Sequence, residues 1–256
     1  MLTSTRNDRV RAVAALSRRR ERREQGRHVV EGPGPVTEAL AAGVVEELFL
    51  DPEAGLELAW PAGTTVTEVA PHVLERLADT ASPQGVVAVA RTPQVPVQDA
   101  VAGGRTVLLH AVSDPGNAGT ILRSADAAGA SGLVLTTGSV DPYGPRALRA
   151  AAGSTYHLPV AVEVGLDDAV AACRDAGQRV LGLDARADAS VDDLATETRP
   201  TALVLGNEAH GLDPAALALL DGTVAIPIHG RAESLNVAAA AAVALYTLAR
   251  SWHGAP

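Results

Sequence analysis

Thr201-Ala202-Leu203-Val204-Leu205-Gly206-Asn207-Glu208-Ala209-His210-Gly211-Leu212 joins an uninterrupted apolar run to a loop with two glycines, an asparagine, a carboxylate and a histidine. Apolar runs without alternation suit strands buried on both faces, as in a parallel sheet covered by helices. Thr106-Val107-Leu108-Leu109 has the same character and is followed by the polar loop Ser113-Asp114-Pro115-Gly116-Asn117-Ala118-Gly119. The class is therefore α/β, with ligand sites expected beyond the carboxyl ends of the strands.

Outward from this stretch, the pattern predicts strands at 106–112, 132–136, 157–162, 179–183, 201–205 and 223–227. Helices are expected at 118–128, 145–151, 166–177, 214–220 and 235–250. Upstream, the spacing of Val10, Val13, Ala14 and Leu16 predicts one helix over 9–25 that ends at Gly26. A strand at 28–31, a helix after Pro33 to near Gly43, a strand at 45–50, a helix at 71–78 and a strand at 85–90 follow. Two prolines in Arg91-Thr92-Pro93-Gln94-Val95-Pro96 disfavour regular structure. The expected division is a small α/β domain over 1–91, a linker over 92–99 and a second domain over 100–256.

The chain has 256 residues, 47% of them hydrophobic, enough to fill a core of that size. Six aromatics leave packing to Ala, Val and Leu. All 21 basic residues are arginine, against 30 acids, for a net charge of −9. That average argues against a general polyanion binder. A gradient lies beneath it: residues 1–31 carry nine arginines against four acids, and the remainder of the chain is acidic. Arg18, Arg19, Arg20, Arg22 and Arg23 form either a solvated helix face or a phosphate-contacting arm. The lone Cys173 excludes an internal disulfide, and no signal or membrane-spanning run is present, so a cytoplasmic protein is expected, with no membrane partner. The seven histidines and Cys173 show no ligand spacing, so no metal is expected.

Three loops concentrate chemistry. In the first, glycines and Asn117 ahead of a helix offer backbone N–H groups to an anion, with Arg123 able to grip a phosphate or carboxylate; the alternative is an Asn cap and a surface ion pair. In the second, Glu208 either binds a ligand or orients a neighbour, or simply bonds its own loop, and His210 is a general base or solvent-facing. In the third, Ile226-Pro227-Ile228-His229-Gly230-Arg231-Ala232-Glu233-Ser234-Leu235-Asn236-Val237, Ser234 can cap the last helix with Asn236 in its first turn.

Taken in order, Asn117-x-Gly119-x-x-x-Arg123, Leu205-Gly206-Asn207-Glu208-x-x-Gly211-Leu212 and Ile226-Pro227-Ile228 leading to Ser234-Leu235-Asn236-Val237 resemble the three motifs of the SpoU (TrmH-type) RNA 2′-O-ribose methyltransferases. Residues 27–90 resemble the ribosomal-protein-like substrate-binding domain that precedes many such catalytic domains. The resemblance implies a trefoil-knotted, mostly parallel α/β methyltransferase domain, a homodimer and S-adenosylmethionine as cofactor. The substrate implied is structured RNA, 23S ribosomal RNA ahead of transfer RNA. An RNA-binding module that kept the fold without methyl transfer is the alternative. Carried over residue by residue, catalysis and RNA contact fall on Asn117, Arg123, Glu208, Ser234 and Asn236. The cofactor falls on backbone around Gly206, Ile226 and Leu235. The family proposal makes Arg123 the base, which a guanidinium that is always protonated resists. Ala209 departs from the glycine common in relatives, a mild replacement.

Overall fold

The computed structural model describes residues 1–252. Its strands are β1 (Arg27–Glu31), β2 (Val45–Leu50), β3 (Thr65–Glu68), β4 (Val86–Arg91), β5 (Arg105–Leu109), β6 (Gly132–Thr136), β7 (Val160–Val164), β8 (Arg179–Leu183), β9 (Thr201–Leu205) and β10 (Gly222–Val224). The helices are α1 (Asp8–Ala15), α2 (Arg19–Gln25), α3 (Pro33–Ala41), α4 (Pro71–Leu77), α5 (Val97–Val101), α6 (Pro115–Ala127), α7 (Pro145–Ala151), α8 (Leu166–Asp175), α9 (Pro214–Ala218) and α10 (Val237–Trp252). They form two compact units. One comprises Met1–Pro93 with Asp141–His157, the other Gln94–Val140 with the chain from Leu158 onward.

The first unit is built on a four-stranded sheet ordered β1-β4-β2-β3, antiparallel except for the β2–β3 pair. The run Val86–Ala90 is apolar throughout because both faces of β4 are covered. Val87 and Val89 pack with Val10, Val13, Phe49, Val73 and Leu74. Val86, Ala88 and Ala90 pack with Val36, Ala39, Leu40 and Leu48 on the other face.

The single helix expected over 9–25 is two. Asn7 caps α1, its Oδ1 accepting from the N–H of Arg9 at 2.9 Å, and Gly26, at φ 62°, ends α2 in the left-handed region. The break between them exists because Arg22 turns inward. Its Nη1 donates to the carbonyls of Leu16 at 2.9 Å and Ser17 at 2.8 Å. Its Nε and Nη2 donate to Asp141 Oδ2 at 2.8 and 2.6 Å. Those carbonyls are thereby satisfied without a continuous helix. Buried and fully engaged, Arg22 is not available to phosphate, which removes it from the expected arginine arm.

Residues 141–157 also depart from the division expected at the linker, since they pack with the first unit. Besides the Arg22–Asp141 pair, the Arg149 guanidinium reaches Glu31 at 3.1 Å and Asp79 at 2.7 Å. The Tyr156 hydroxyl lies 2.8 Å from His28 Nε2, and the Tyr143 ring centroid 5.2 Å from that of His28. Burial outweighs the nearby Asp141 carboxylate and pushes the imidazole of His28 down to about 4, so the ring is neutral inside this cluster.

The second unit carries a six-stranded sheet ordered β10-β8-β9-β5-β6-β7, every pair parallel. Helix α5 presses so closely on β6 that a Cβ on Gly132 would collide with the Ala100 carbonyl. The Ala-rich stretch of α10 allows close packing on α6 and on the 3-10 turn Val191–Thr196. Cys173 is buried among Val170, Ala169 and Val180, and that burial pushes its thiol up to about 12. Pattern reading missed β3, α5 and this turn, all short. Among the described residues no helix is long and apolar enough to cross a membrane.

Candidate active site

The site follows from the register of two strands. Leu109 of β5 pairs with Leu205 of β9, so the loops after them leave the sheet side by side. Asp114, rather than Asn117, caps α6, its Oδ1 accepting from the Asn117 N–H at 2.8 Å. The Asn117 side chain is therefore free for work across the site. Glu208 reaches over from the neighbouring loop. Its Oε2 accepts from the Ser113 N–H at 3.1 Å and the Ser113 hydroxyl at 2.9 Å, and its Oε1 accepts from the Asp114 N–H at 2.9 Å and Asn117 Nδ2 at 3.2 Å. Partial burial pushes this carboxyl up, but the backbone donors of Asp114 and Ser113 and the Asn117 amide prevail and hold it at about 2. Glu208 is thus a fixed anion at neutral pH, unsuited to taking up a proton.

The third loop joins through Asn236, whose Nδ2 donates to Asn117 Oδ1 at 3.1 Å. Asn236 Oδ1 accepts from the N–H groups of Ala238 at 2.9 Å and Ala239 at 3.4 Å. Asn236, not Ser234, is accordingly the cap of α10, which starts at Val237. Ser234 makes no hydrogen bond among the described residues and instead lines a cleft of about 240 Å3 with Gly206, Glu208, Ile226 and Leu235.

Sequence reasoning missed Asn207 and Ser113. Asn207 Nδ2 donates to the Ala111 carbonyl at 2.9 Å, while its Oδ1 accepts from the Ala209 N–H at 2.9 Å and the His210 N–H at 3.2 Å. It pins the second loop to the first, where Ala111 adopts a left-handed φ of 53°. The signal was an Asn at a strand end, able to close an Asx turn. Gly206 is needed for the same closure, because a Cβ there would strike the Gly211 carbonyl. Asn117, Glu208 and Asn236 are thus brought into one hydrogen-bonded chain. Arg123 stands apart on α6, exposed and without an ion pair among the described residues. His210 is exposed, its Nδ1 3.2 Å from Asn207 Oδ1.

The cleft combines apolar side chains with the polar groups of Asn207, Glu208 and Ser234. Ile228 and Leu235 expose 37% and 42% of their surface. Between Ile226 and Leu235 no backbone group pairs with another backbone group among the described residues, so the N–H and C=O groups of that loop are open to a guest. No group of three or more His, Cys, Asp or Glu is arranged to hold a metal ion among the described residues.

Comparison with known proteins places this geometry. Residues 104–246 match the SpoU rRNA Methylase family, and residues 7–88 match the MRM3-like substrate binding domain. The chain is 34% identical over 249 residues to the 23S rRNA (guanosine(2553)-2′-O)-methyltransferase of Bacillus subtilis, covering 96% of this chain and 98% of that one. It is 37% identical over 255 residues to the 23S rRNA (uridine(2479)-2′-O)-methyltransferase of Streptomyces viridochromogenes, covering 93% and 87%. An AdoMet-bound rRNA methyltransferase from Sinorhizobium meliloti superposes with a TM-score of 0.86 at 32% identity, over 97% of this chain and 96% of that one. With the family matched across more than half of its length and relatives aligned over most of theirs, this chain belongs to the SpoU rRNA methylase family.

Proposed function

We propose that this protein transfers a methyl group from S-adenosylmethionine to a ribose 2′-hydroxyl of 23S ribosomal RNA. The observation that carries the reading is the Glu208–Asn117–Asn236 chain, which ties three strand-end loops together beside an apolar cleft with open backbone. Both relatives named above act on 23S RNA at a ribose 2′-oxygen, and this chain spans most of each. When bound, the cofactor supplies a methyl group on a positively charged sulfur, so the protein's task is to orient the hydroxyl and remove its proton. Gly206, Ile226 and Leu235 would hold the cofactor through backbone groups and apolar contact. Ser234, lining the same cleft with its hydroxyl unpaired, is placed to bond either reactant.

Arg123 is the phosphate anchor in this reading. An unpaired, planar guanidinium grips a phosphate bidentately, and its charge favours a developing alkoxide nearby. Replacing Arg123 by lysine keeps the charge and removes the fork, and single-turnover transfer should fall by about 10- to 100-fold without a displaced pH profile. A wild-type rate in that variant would end the case for the guanidinium.

Exposed Val243 and Tyr246 on α10 support a homodimer through that helix, which sedimentation of the full chain would test. A trefoil knot is supported by α10 packing on both α6 and the 191–196 turn, which sets the last helix against two earlier segments of the chain. A 23S ribosomal RNA substrate supports a cytoplasmic location. The deciding experiment is transfer of labelled methyl to separated 23S, 16S and transfer RNAs, followed by mapping. Label on a 23S ribose is the expected result; label on a base, or on transfer RNA alone, would overturn it.

A further inference from the structure

Resting on the reading of the chain as an RNA methyltransferase, we propose that RNA backbone phosphates bind a groove of the first unit walled by Arg11 on α1, Arg18 in the turn after it, and Arg76 on α4. The groove has a volume of about 540 Å3, and Ala12, Ala14, Ala15 and Ser17 line it between the arginines. Such small side chains let a sugar-phosphate strand lie close, while the walls supply guanidinium forks that match phosphate oxygens. Asp8 is the one acid among the lining residues, so a net positive hollow stands on a protein whose total charge is −9.

The state of each arginine separates this groove from the rest of the arginine-rich segment. Arg76 is exposed, and its side chain has neither hydrogen bond nor ion pair among the described residues. Arg11 and Arg18 each meet one carboxylate, Asp8 and Glu21, at 3.3 Å, with 69% and 68% of their side chains exposed. Exposed pairs of that length contribute little to stability, so a phosphate displaces the carboxylate with little loss. Arg22 is committed to Asp141 and two carbonyls, and Arg20 holds Glu24 at 2.7 Å. The sequence draws attention to a consecutive run of arginines, whereas the fold gathers three that are not consecutive. A second, smaller cavity of about 60 Å3 shares Ala14, Ser17 and Arg76 with the groove.

The test compares two triple variants of the full chain that remove the same charge. One is Arg11→Gln, Arg18→Gln and Arg76→Gln. The control is Arg174→Gln, Arg186→Gln and Arg199→Gln, arginines of the second unit that pair with Asp221, Asp184 and Glu197. Binding of a 23S RNA transcript is measured across a salt series, with thermal midpoints and S-adenosylmethionine binding recorded to confirm folding. Loss of three phosphate contacts should flatten the plot of log affinity against log salt by about 2 and weaken binding at low salt at least about tenfold. The control should keep the wild-type slope. Equal slopes for wild type and the groove variant, or an equal fall in the control, would overturn the groove. Wild type that binds the transcript but transfers no methyl would end the methyltransferase reading and leave the slope comparison decisive for the groove. Failure of wild type to bind RNA would overturn both.

Discussion

Replacing Glu208 by alanine should lower methyl transfer by about 100-fold or more, although Glu208 is not the base. Its carboxylate accepts from two backbone N–H groups and a serine hydroxyl on the loop beyond β5 and from the Asn117 amide in the first turn of α6. Without it those donors face one another with no acceptor, the loop loses its tie to β9, and Asn117 no longer presents its oxygen to Asn236. A displacement of about 1 Å in a positioned site is enough for a loss of that size. Glutamine should fall between alanine and wild type, since one of its two terminal atoms can still accept. The pH dependence has a defined sign. The folded carboxyl sits at about 2 against an ordinary 4.5, so its contribution to stability is present above 4.5 and is lost as pH falls toward about 2. Acid denaturation of wild type and Glu208→Ala should therefore converge at the bottom of that window. A variant with wild-type kcat, or one whose acid limb parallels wild type throughout, would show that the carboxylate does not organise the loop.

Replacing Asp141 by alanine should destabilise the protein by about 3–5 kcal/mol, because it leaves the buried Arg22 guanidinium without its counter-charge. Arg22 is 7% exposed and cannot swing into solvent without dismantling the turn between α1 and α2. The double variant Arg22→Met with Asp141→Leu should recover most of the loss, as apolar replacement of a buried pair commonly does. Denaturant melts of the three proteins measure this. A change under about 1 kcal/mol in Asp141→Ala would mean the pair is solvated in practice. The neighbouring His28, which feels both Asp141 and Arg22, adds a further acid sensitivity. Its folded value of about 4 lies below the ordinary 6.5, so the unfolded chain takes up the proton first and stability drops as pH falls between those limits.

Much of the second unit was legible in sequence because its signals are local. Uninterrupted apolar runs marked the buried strands, and polar groups after Leu109 and Leu205 marked the strand ends where ligands bind. That Asn117, Glu208 and Asn236 share one hydrogen-bonded chain needed the parallel register of β5 and β9, which no local pattern encodes. Caps were read one step wrong for the same reason. Ser234 and Asn236 are both good capping residues, as are Asp114 and Asn117, and only the three-dimensional path of each loop chooses between them. The first unit was harder. Arg22 looks like its neighbours in sequence, and its partner Asp141 lies 119 positions away. The same long-range contact draws residues 141–157 into a unit that a linear reading closes at the linker over 92–99.

The position of β9 bears on how the chain comes to be made. β9 pairs with β5 on one side and β8 on the other, yet it is the next-to-last strand to leave the ribosome. Until Thr201–Leu205 emerges, β5-β6-β7 and β8 have no strand to join them, and both β5 and β8 carry bare edges suited to pairing with another chain. Translation runs at about 5–20 residues per second, so this vulnerable interval spans the whole synthesis of the segment between β5 and β9. Holding that interval safe falls to whatever meets the nascent chain, which makes an enzyme assigned to mature ribosomal RNA a demanding product of the ribosome itself.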